Sequence, residues 1–345
     1  MTWSAWHHRF HQHLLDQPAL LPRGGLLLLA VSGGQDSMAL LQLLLDLRHL
    51  HQWDLMLWHG DHRWHDGSEQ IANELQTWCT QHGLALVISQ AKANEASTED
   101  AARHWRYQNL LSYCNQLGCD AVTAHTASDR AETMLFNLSR GSDLAGLSSL
   151  PSQRALSTNQ PNSPQLRRPL LLFTRNETAA ICRDLKLPIW LDPSNASQAG
   201  ARNRIRHSVL PVLEELHPGC SLRMAATAER LSHQTASRTE LTDLALQQLR
   251  LDNGLNRRQL GCLTTTTRTM ILARWLAASG VTGVSAAVLN QLSQRLSKGQ
   301  PGGQACLSRE WTLTWRGETI KLEPSKEEPA KSKPVDPSNP TKKTS

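Results

Sequence analysis

The chain has 345 residues, of which 39% are hydrophobic and 19% charged, and its formal net charge is +6. This length supports two modest hydrophobic cores, which excludes a small disulfide-stabilised scaffold. The longest apolar run, Leu26–Val31, falls far short of the about 20 residues that span a bilayer. The first residues contain histidines and Asp16 in place of the apolar core of a signal peptide. We therefore expect a cytoplasmic protein that does not enter a membrane.

The positive charge belongs to the part of the chain that is expected to fold. Residues 323–345 contribute a net charge of only +1, and residues 1–322 contain 27 arginines but four lysines. Arginine makes bidentate contacts to phosphate, so the excess favours a polyanionic partner. A compositional bias of the genome explains the same excess, and the charge alone does not decide between the two.

The first part of the chain alternates between strand and helix patterns. Strands are predicted at 26–31, 54–59, 84–88 and 120–124, and helices at 37–50, 67–82, 99–117 and 128–139. This alternation is typical of an α/β domain with a parallel, Rossmann-like sheet, here assigned to residues 1–150. Residues 151–217 form an arginine-rich extension of that domain, which starts with a Ser-, Pro-, Asn- and Gln-rich surface loop at 151–166.

A second, mostly helical domain is predicted at 218–322. Its helices lie near 222–251, 267–279 and 284–297, and it ends in a β-like segment, Trp311–Leu322. Residues 323–345 are rich in Lys, Pro, Ser and Glu and contain no aromatic residue. Such a segment cannot bury enough apolar surface to offset its ordering entropy, so we expect a disordered tail.

The most specific motif follows the first strand: Ser32, Gly33, Gly34, Gln35, Asp36 and Ser37. Two glycines allow a tight turn that directs backbone N–H groups into a concavity, and the following helix N-terminus attracts an anion. The motif therefore predicts a phosphate-binding loop, although a Gly-Gly pair also occurs in ordinary strand–helix turns. Asp36 would repel phosphate directly, which favours a role as ligand of a bridging Mg²⁺.

Acidic and histidine residues follow the other strands. Asp129 and Glu132 have i, i+3 spacing on the helix after the fourth strand, so both carboxylates can face one pocket at the carboxyl edge of the sheet. A solvated acidic helix face is the alternative. His59, Asp61 and His62 follow the second strand and offer metal-type ligands. For these we favour a nucleotide contact, with His62 as the candidate.

The motifs together resemble a known family. The string S-G-G-x-D-S resembles the PP-loop of the ATP pyrophosphatases, which cleave ATP to AMP and pyrophosphate. Further segments, in order and spacing, resemble the tRNA(Ile)-lysidine synthetases over about 22–215. They are His59–Arg63, Glu99–Tyr107, Thr123–Thr133, Arg140–Leu147, Arg168–Leu171, Asp192–Asn195 and Arg202–Pro211. Two positions depart from the family pattern: Thr126 replaces the second of two histidines, and Arg130 replaces a glutamine between the acidic residues.

The resemblance implies an ATP- and Mg²⁺-dependent ligase. It would join L-lysine to C2 of the wobble cytidine, position 34, of the isoleucine tRNA with a CAU anticodon, through an adenylated cytidine. The lysidine formed would switch codon reading from AUG to AUA. Residues 1–150 would be the PP-loop nucleotide-binding catalytic domain, 151–217 its extension and 218–322 the tRNA-binding domain.

The resemblance also implies roles for single residues. Ser32 to Ser37 and His62 would bind the nucleotide, and Asp36 would also hold the metal. Asp129 and Glu132 would hold the lysine ammonium, and one of them would accept its proton. Arg103, Arg202, Arg204 and Arg206 would contact tRNA, and Arg206 would also reach the adenylated intermediate.

Two alternatives stay open at this point. A PP-loop tRNA thiolase would activate a base in the same way but deliver sulfur; the thiolases that are most similar use C-x-x-C pairs, which the seven scattered cysteines lack. A non-catalytic RNA-binding module would not need Asp36, Asp129 and Glu132 together. The oligomeric state is open as well, a homodimer included.

Overall fold

The computed structural model describes residues 3–64, 67–190 and 200–325. Backbone contacts divide the chain into two compact units, the first ending at Thr235 and the second beginning at Ala236. The domain limits at 150, 217 and 322 remain sequence-based predictions. Residues 192–195, which contribute one of the motifs, lie outside the described residues.

The first unit follows the predicted alternation of strands and helices. Its strands are β1 (Gly25–Ala30), β2 (Trp53–Asp61), β3 (Leu86–Gln90), β4 (Asp120–Val122), β5 (Gln153–Ala155) and β6 (Gln165–Arg167). Its first helices are α1 (Ala5–Asp16), α2 (Gln35–His51), α3 (Ser68–Gln81), α4 (Glu99–Leu117), α5 (Ala127–Ser139) and α6 (Leu144–Leu147). A 3₁₀ turn (Pro169–Leu172), α7 (Arg175–Asp184), α8 (Ala201–Arg204), a π-helical turn (Ile205–Val209), α9 (Leu210–Leu216) and α10 (Cys220–Leu249) follow.

The strands of the first unit form one sheet in the order β3-β2-β1-β4-β6-β5. All neighbouring pairs are parallel except β5 and β6. The predicted parallel α/β fold is therefore confirmed. Since β1 lies between β2 and β4, the loops that follow these three strands meet at one edge of the sheet, where ligands bind in folds of this kind.

The central strand and most of its following helix are apolar because they are largely buried. Leu28 and Leu29 of β1 are fully buried, and α2 buries leucines on several faces. On one side of the sheet α2 packs with α1 and α7 around Phe10 and Phe173. This rigid layer fixes the position of the loop between β1 and α2.

The expectation of a surface loop holds for residues 156–164 but was wrong for the two ends of 151–166, where β5 and β6 extend the sheet. Each strand has only three residues. Arg167 holds β6 in place with a guanidinium contact of 2.7 Å from Nε to the Asp120 carboxylate and with hydrogen bonds to the carbonyls of Ala19 and Leu20. A strand with such polar side chains has no apolar pattern by which the sequence would reveal it.

The second unit contains the predicted helices and a larger sheet than expected. Its helices are the last part of α10, α11 (Arg257–Cys262), α12 (Thr265–Ala278) and α13 (Ala286–Arg295). Its strands are β7 (Arg250–Leu251), β8 (Gly254–Asn256), β9 (Gly303–Cys306), β10 (Trp311–Arg316) and β11 (Thr319–Pro324), in the order β7-β8-β11-β10-β9. They pair antiparallel around a core that includes Trp315 and Ile320. The β-like ending at 311–322 is thus the centre of a five-stranded sheet.

The predicted disordered tail begins too early. Strand β11 extends to Pro324, and the Ser325 N–H donates to the Glu310 carbonyl at 2.8 Å. Residues 326–345 lie outside the described residues. Within the part of the chain that the structure describes, no helix is long and apolar enough to cross a membrane.

Candidate active site

The loop between β1 and α2 has the conformation that its glycines predict. Gly33 has a φ of +82°, which side chains other than glycine rarely adopt, and a Cβ there would also lie 3.3 Å from the Trp190 ring. The Ser37 hydroxyl donates to the Gly34 carbonyl at 2.8 Å and accepts the Ser32 N–H at 3.2 Å. The loop is therefore closed by its own serines, and the N-terminus of α2 begins where a phosphate would bind.

Asp36, in the first turn of α2, has two partners on α7. Arg175 Nη1 lies 3.1 Å from Asp36 Oδ2, and the Thr178 hydroxyl donates to Asp36 Oδ1. Burial, and after it the negative charge of Asp129, raises the pKa of the Asp36 carboxyl. Arg175 and Thr178 are site residues that the sequence analysis missed, because they follow Asp36 by about 140 residues and belong to no motif.

Gln35 also has partners on α7. Its side-chain amide donates to the Arg175 carbonyl at 2.8 Å and to the Thr178 hydroxyl at 3.2 Å. The Gln35 side chain therefore joins α2 to α7, and its predicted contact with the nucleotide stays a prediction.

The two carboxylates of α5 meet at Arg206. Glu132 accepts two hydrogen bonds from Arg206, Nε to Oε1 at 2.7 Å and Nη2 to Oε2 at 2.8 Å, and Asp129 Oδ1 lies 3.3 Å from Nη2. Burial raises the pKa of the Glu132 carboxyl, although its hydrogen bonds with Arg206 oppose the increase. The predicted pair is therefore not a solvated helix face but the acidic half of a partly buried ion-pair network.

Asp129 also caps its own helix. Its Oδ2 accepts the Thr126 N–H at 2.7 Å and the Thr126 hydroxyl at 2.8 Å, while Thr126 in turn accepts the Asp129 N–H. Thr126, the first departure from the family pattern, is thus the N-cap of α5 and has a structural role in this capping box.

The second departure, Arg130, is structural as well. Its side chain is buried and donates to the Leu150 carbonyl and to Glu229 Oε2 on α10, the latter at 2.5 Å. Arg130 thus attaches the first half of α10 to α5. Arg130 and Glu229 both belong to the first compact unit, which ends at Thr235.

The arginine segment separates into residues inside and outside the site. A π-helical turn at Ile205–Val209 precedes Pro211, which has no N–H to donate to the His207 carbonyl four residues earlier. Arg206 lies in this turn and points to Glu132. Arg202 instead forms an ion pair with Glu99 at 2.9 Å, and Arg204 is exposed.

Two cavities meet at Arg206. The first, about 360 Å³ in volume and called the nucleotide cavity below, is lined by the phosphate loop, the end of β2 and the start of α5. Of the predicted site residues it contains Ser32, Asp36, Ser37, His62, Asp129 and Arg206. The second cavity, about 590 Å³, lies among α5, α7, α9 and α10 and contains Glu132. Arg175 and Arg206 line both, so Asp129 and Glu132 face different cavities that share one arginine pair.

The histidines at the end of β2 have separate environments. His59 is buried, with its Nδ1 2.8 Å from the Val31 carbonyl, and burial lowers its pKa. His62 contacts Arg106 at 3.2 Å from Nε2 to Nη2 and packs edge-on against Trp105. The His62 ring is therefore more accessible than the His59 ring to a nucleotide in the cavity.

A second group of arginines surrounds Tyr107 on α4. This arginine cluster consists of Arg103, Arg106, Arg154 and Arg168. The guanidinium groups of Arg103 and Arg154 lie 5.1 and 4.6 Å from the Tyr107 ring centroid. Burial, and after it the positive charges of all four arginines, lowers the pKa of His125 well below its usual value. Among the described residues, none of the four forms an ion pair with a carboxylate.

The residues of the nucleotide cavity fit a magnesium ion. Mg²⁺ prefers oxygen ligands and is usually held by one or two carboxylates together with substrate phosphates. The negative charges of Asp36 and Asp129 are close enough to repel one another. A divalent cation bound beside them would offset that repulsion. No group of three His, Cys, Asp or Glu within the described ranges is arranged to hold a metal without a substrate.

A comparison with known families agrees with this geometry. Residues 7–213 match the family model of the PP-loop domain. The first unit is thus a PP-loop domain, the class that the phosphate loop and the parallel sheet define.

Relatives at higher identity identify the family within that class. A tRNA(Ile)-lysidine synthase of Parasynechococcus marenigrum is 54% identical over 94% of this chain and 96% of its own length. One from Prochlorococcus marinus is 43% identical over 93% and 96%. The chain belongs to the tRNA(Ile)-lysidine synthase family.

Among solved structures, a U34-tRNA thiolase, NcsA from Methanococcus maripaludis with its 4Fe–4S cluster, has a similar fold. It matches with a TM-score of 0.55 and 18% identity over 66% of this chain and 79% of that chain. At this identity the likeness extends to the fold alone.

Proposed function

We propose that this chain is an ATP-dependent ligase that joins L-lysine to C2 of the wobble cytidine of the isoleucine tRNA with a CAU anticodon, in the cytoplasm. The product, lysidine, pairs with A and so changes codon reading from AUG to AUA. The observation that carries the proposal is the arrangement at Arg206, where a cavity with a phosphate loop and a second cavity with a buried acid share one arginine pair.

The first step is activation of the cytidine. Its O2 attacks the α-phosphorus of ATP, the bond from this phosphorus to the pyrophosphate oxygen breaks, and an adenylated cytidine forms. The backbone N–H groups of Gly33, Gln35 and Asp36 and the N-terminus of α2 would hold the leaving pyrophosphate. Mg²⁺, held by Asp36 beside Asp129, would neutralise charge on the phosphates when bound. Arg175, paired with Asp36, would keep that carboxylate oriented before the metal arrives.

The second step is attack by lysine. Its ε-amine bonds to C2, the C2–O bond breaks, and AMP leaves with the oxygen. The free amine is almost fully protonated at neutral pH, because its pKa is about 10.4. Glu132 is buried, faces the second cavity and has a raised pKa, so it is suited to bind the ammonium and to accept a proton from it.

Arg206 links the two steps by charge. It holds Glu132 with two hydrogen bonds, and an incoming ammonium would compete for the same oxygens. Once displaced, the guanidinium would remain at the border of the nucleotide cavity, where the phosphate of the adenylated cytidine would attract it. We infer that lysine entry and contact of Arg206 with the intermediate are coupled.

The RNA would reach the site across basic side chains. Arg103, Arg202, Arg204 and Arg206 are the predicted contacts, and Arg154 lies beside Arg103 at the Tyr107 ring. Neither Arg103 nor Arg154 forms an ion pair with an acid within the described residues, so these two are the stronger site for RNA phosphates. Arg202, which is paired with Glu99, would contribute less.

A single assay tests the proposal against the thiolase alternative. Purified protein is incubated with ATP, Mg²⁺, labelled lysine and unmodified isoleucine tRNA with a CAU anticodon, and transfer of label and release of AMP are measured. Transfer of lysine at a one-to-one ratio with AMP supports the ligase, whereas AMP release without lysine transfer contradicts it. None of the seven cysteines, all of them described, is among the residues that line the nucleotide cavity. That distribution gives the thiolase reaction no support.

A further inference from the structure

One buried acid of the nucleotide cavity has no role in the reaction as described. Asp61 ends β2 and is only 2% exposed. Its Oδ1 accepts the Arg63 N–H at 2.9 Å, but its Oδ2 is buried without a hydrogen-bond partner among the described residues. A buried acceptor left without a donor is costly, and a charged one more so. A donor is therefore expected from a ligand.

The position of Asp61 is held rigidly. A Cβ at the preceding residue, Gly60, would lie 2.5 Å from the Trp58 ring, so only glycine allows this packing. The Asp61 carbonyl accepts the Ala91 N–H at 2.9 Å on one side of the strand. On the other side, the hydrogen bond between His59 and the Val31 carbonyl joins the end of β2 to the end of β1.

The sheet and the nucleotide cavity place Asp61 near the phosphate loop. Ala30, the last residue of β1, pairs with Trp58 of β2. Beyond this pair both segments reach the same cavity, which Asp61 lines together with Ser32, Asp36 and Ser37. A ligand whose phosphates are bound by the loop can therefore place its adjoining part next to the Asp61 carboxylate.

The chemistry of the carboxylate selects the part of the ligand. An ionised acid repels phosphate and accepts hydrogen bonds, so its partner has to be a donor. A nucleoside triphosphate carries donors on its ribose hydroxyls and on the amino group of its base. The hydroxyls lie nearer to the phosphates. Two of the three residues after Asp61, His62 and Trp64, have aromatic rings with centroids 5.3 Å apart, which suit the base.

We propose that Asp61 Oδ2 accepts a hydrogen bond from a ribose hydroxyl of the bound ATP and makes the enzyme selective for ribonucleotides. This assignment rests on the proposed use of ATP. It adds a specificity-determining residue to the site and involves no bond-making step.

The test is equilibrium binding of ATP, 2′-deoxy-ATP and 3′-deoxy-ATP with Mg²⁺, without tRNA or lysine, measured by calorimetry. The wild-type protein should bind ATP about tenfold to a hundredfold more tightly than at least one of the deoxy forms. In Asp61→Ala this ratio should fall to about one, through weaker binding of ATP and unchanged binding of the deoxy form. Asp61→Asn, whose amide can still pair with a hydroxyl, should retain part of the ratio.

Asp54→Ala is the matched control, since Asp54 is an exposed acid at the opposite end of the same strand. It should keep the wild-type ratio. Equal wild-type affinity for all three nucleotides would overturn the assignment while leaving ATP use intact. A loss of affinity in Asp61→Ala that is the same for ATP and the deoxy forms would overturn it as well. No binding of ATP to the wild-type protein would instead contradict the proposed function.

Discussion

Two groups of arginines in the first unit differ in what neutralises them. Arg206 is held by Glu132 and Asp129, with three hydrogen bonds between 2.7 and 3.3 Å. The arginine cluster around Tyr107 contains four guanidinium groups and, within the described residues, no paired acid. Another cation can replace a neutralised arginine at its acids, whereas a cluster without paired acids favours an anion. The comparison thus supports the proposed division between a part of the site for the lysine ammonium and a part for RNA.

The largest effect is expected at the acid of the phosphate loop. Asp36→Asn should reduce pyrophosphate release about a hundredfold to a thousandfold, because it removes the proposed metal ligand. It should leave tRNA affinity unchanged. Asp54→Asn, an exposed acid on β2, serves as the control. A folded Asp36→Asn protein with near-normal pyrophosphate release would remove Asp36 from the mechanism.

The same substitution has a defined effect on stability. The raised pKa of Asp36 means that folding disfavours its ionised form. The contribution of the Asp36 carboxyl to the free energy of unfolding is therefore fully present below its pKa in the unfolded chain. It is lost as the pH rises through the pKa of this carboxyl in the folded protein. Asp36→Asn, which cannot ionise, should have a Tm at pH 7 equal to or above that of the wild type. A clear decrease in thermal unfolding experiments would contradict this.

A smaller effect is expected at the carboxylates that hold Arg206. Asp129→Asn and Glu132→Gln should slow lysine transfer by about a hundredfold, the typical contribution of general acid–base catalysis. Since acids do not attract phosphate, tRNA affinity should hardly change. If a substitution removes only a lysine-binding group, excess lysine should restore the rate. If it also removes the proton acceptor, excess lysine should not restore the rate. Glu215→Gln, an exposed acid on α9, should behave like wild type.

The arginine variants test the other side of the comparison. The double change Arg103→Gln and Arg154→Gln should weaken tRNA binding about tenfold and lower its salt dependence by about 0.7–0.9 in slope for each lost phosphate contact. The pair Arg202→Gln and Arg204→Gln should have less effect, because Glu99 already neutralises Arg202.

Filter binding across salt concentrations measures both slopes. Arg48→Ala is the control, since Arg48 is exposed near the far end of α2. Equal losses of tRNA affinity in the arginine and the carboxylate variants would show that the two groups do not have separate partners.

The smallest effect is expected from the end of the chain. Removing residues 326–345 should leave lysine transfer unchanged and Tm within about 1 °C, because the segment contains no aromatic residue and mixes five lysines with three acids. Removing residues 323–345 should lower the Tm more than the shorter deletion does, because it shortens β11. A loss of tRNA affinity with the shorter deletion would contradict the expectation.

Much of the first unit could be predicted from the sequence because its strands and helices carry strong periodic patterns. The turn of the phosphate loop could be predicted as well, because the sequence has glycine at position 33, where the φ of +82° requires it. The partners of Asp36 could not. Thr174 and Glu177 form a capping box that predicts the start of α7, but nothing local indicates that α7 packs against α2.

Other features depend on pairing between distant segments. The strands β5 and β6 are three residues long and polar, so only the finished sheet defines them. The i, i+3 spacing of Asp129 and Glu132 predicted that both acids face one pocket, and this was wrong. The two acids share Arg206 but face different cavities, because that depends on where Arg206 enters between them.

The π-helical turn at Ile205–Val209 makes the length of this segment as important as its side chains. A π turn holds one residue more than an α turn, and in a regular helix each residue advances the rotation by about 100°. The extra residue therefore sets the angular phase between Arg206, which points to Glu132, and Leu210, which is buried. Deleting one residue such as Ser208 would restore a regular helix while keeping every functional side chain. Either the arginine or the leucine would then face the wrong direction, so the contact between Arg206 and Glu132 depends on the number of residues in this turn as well as on their identity.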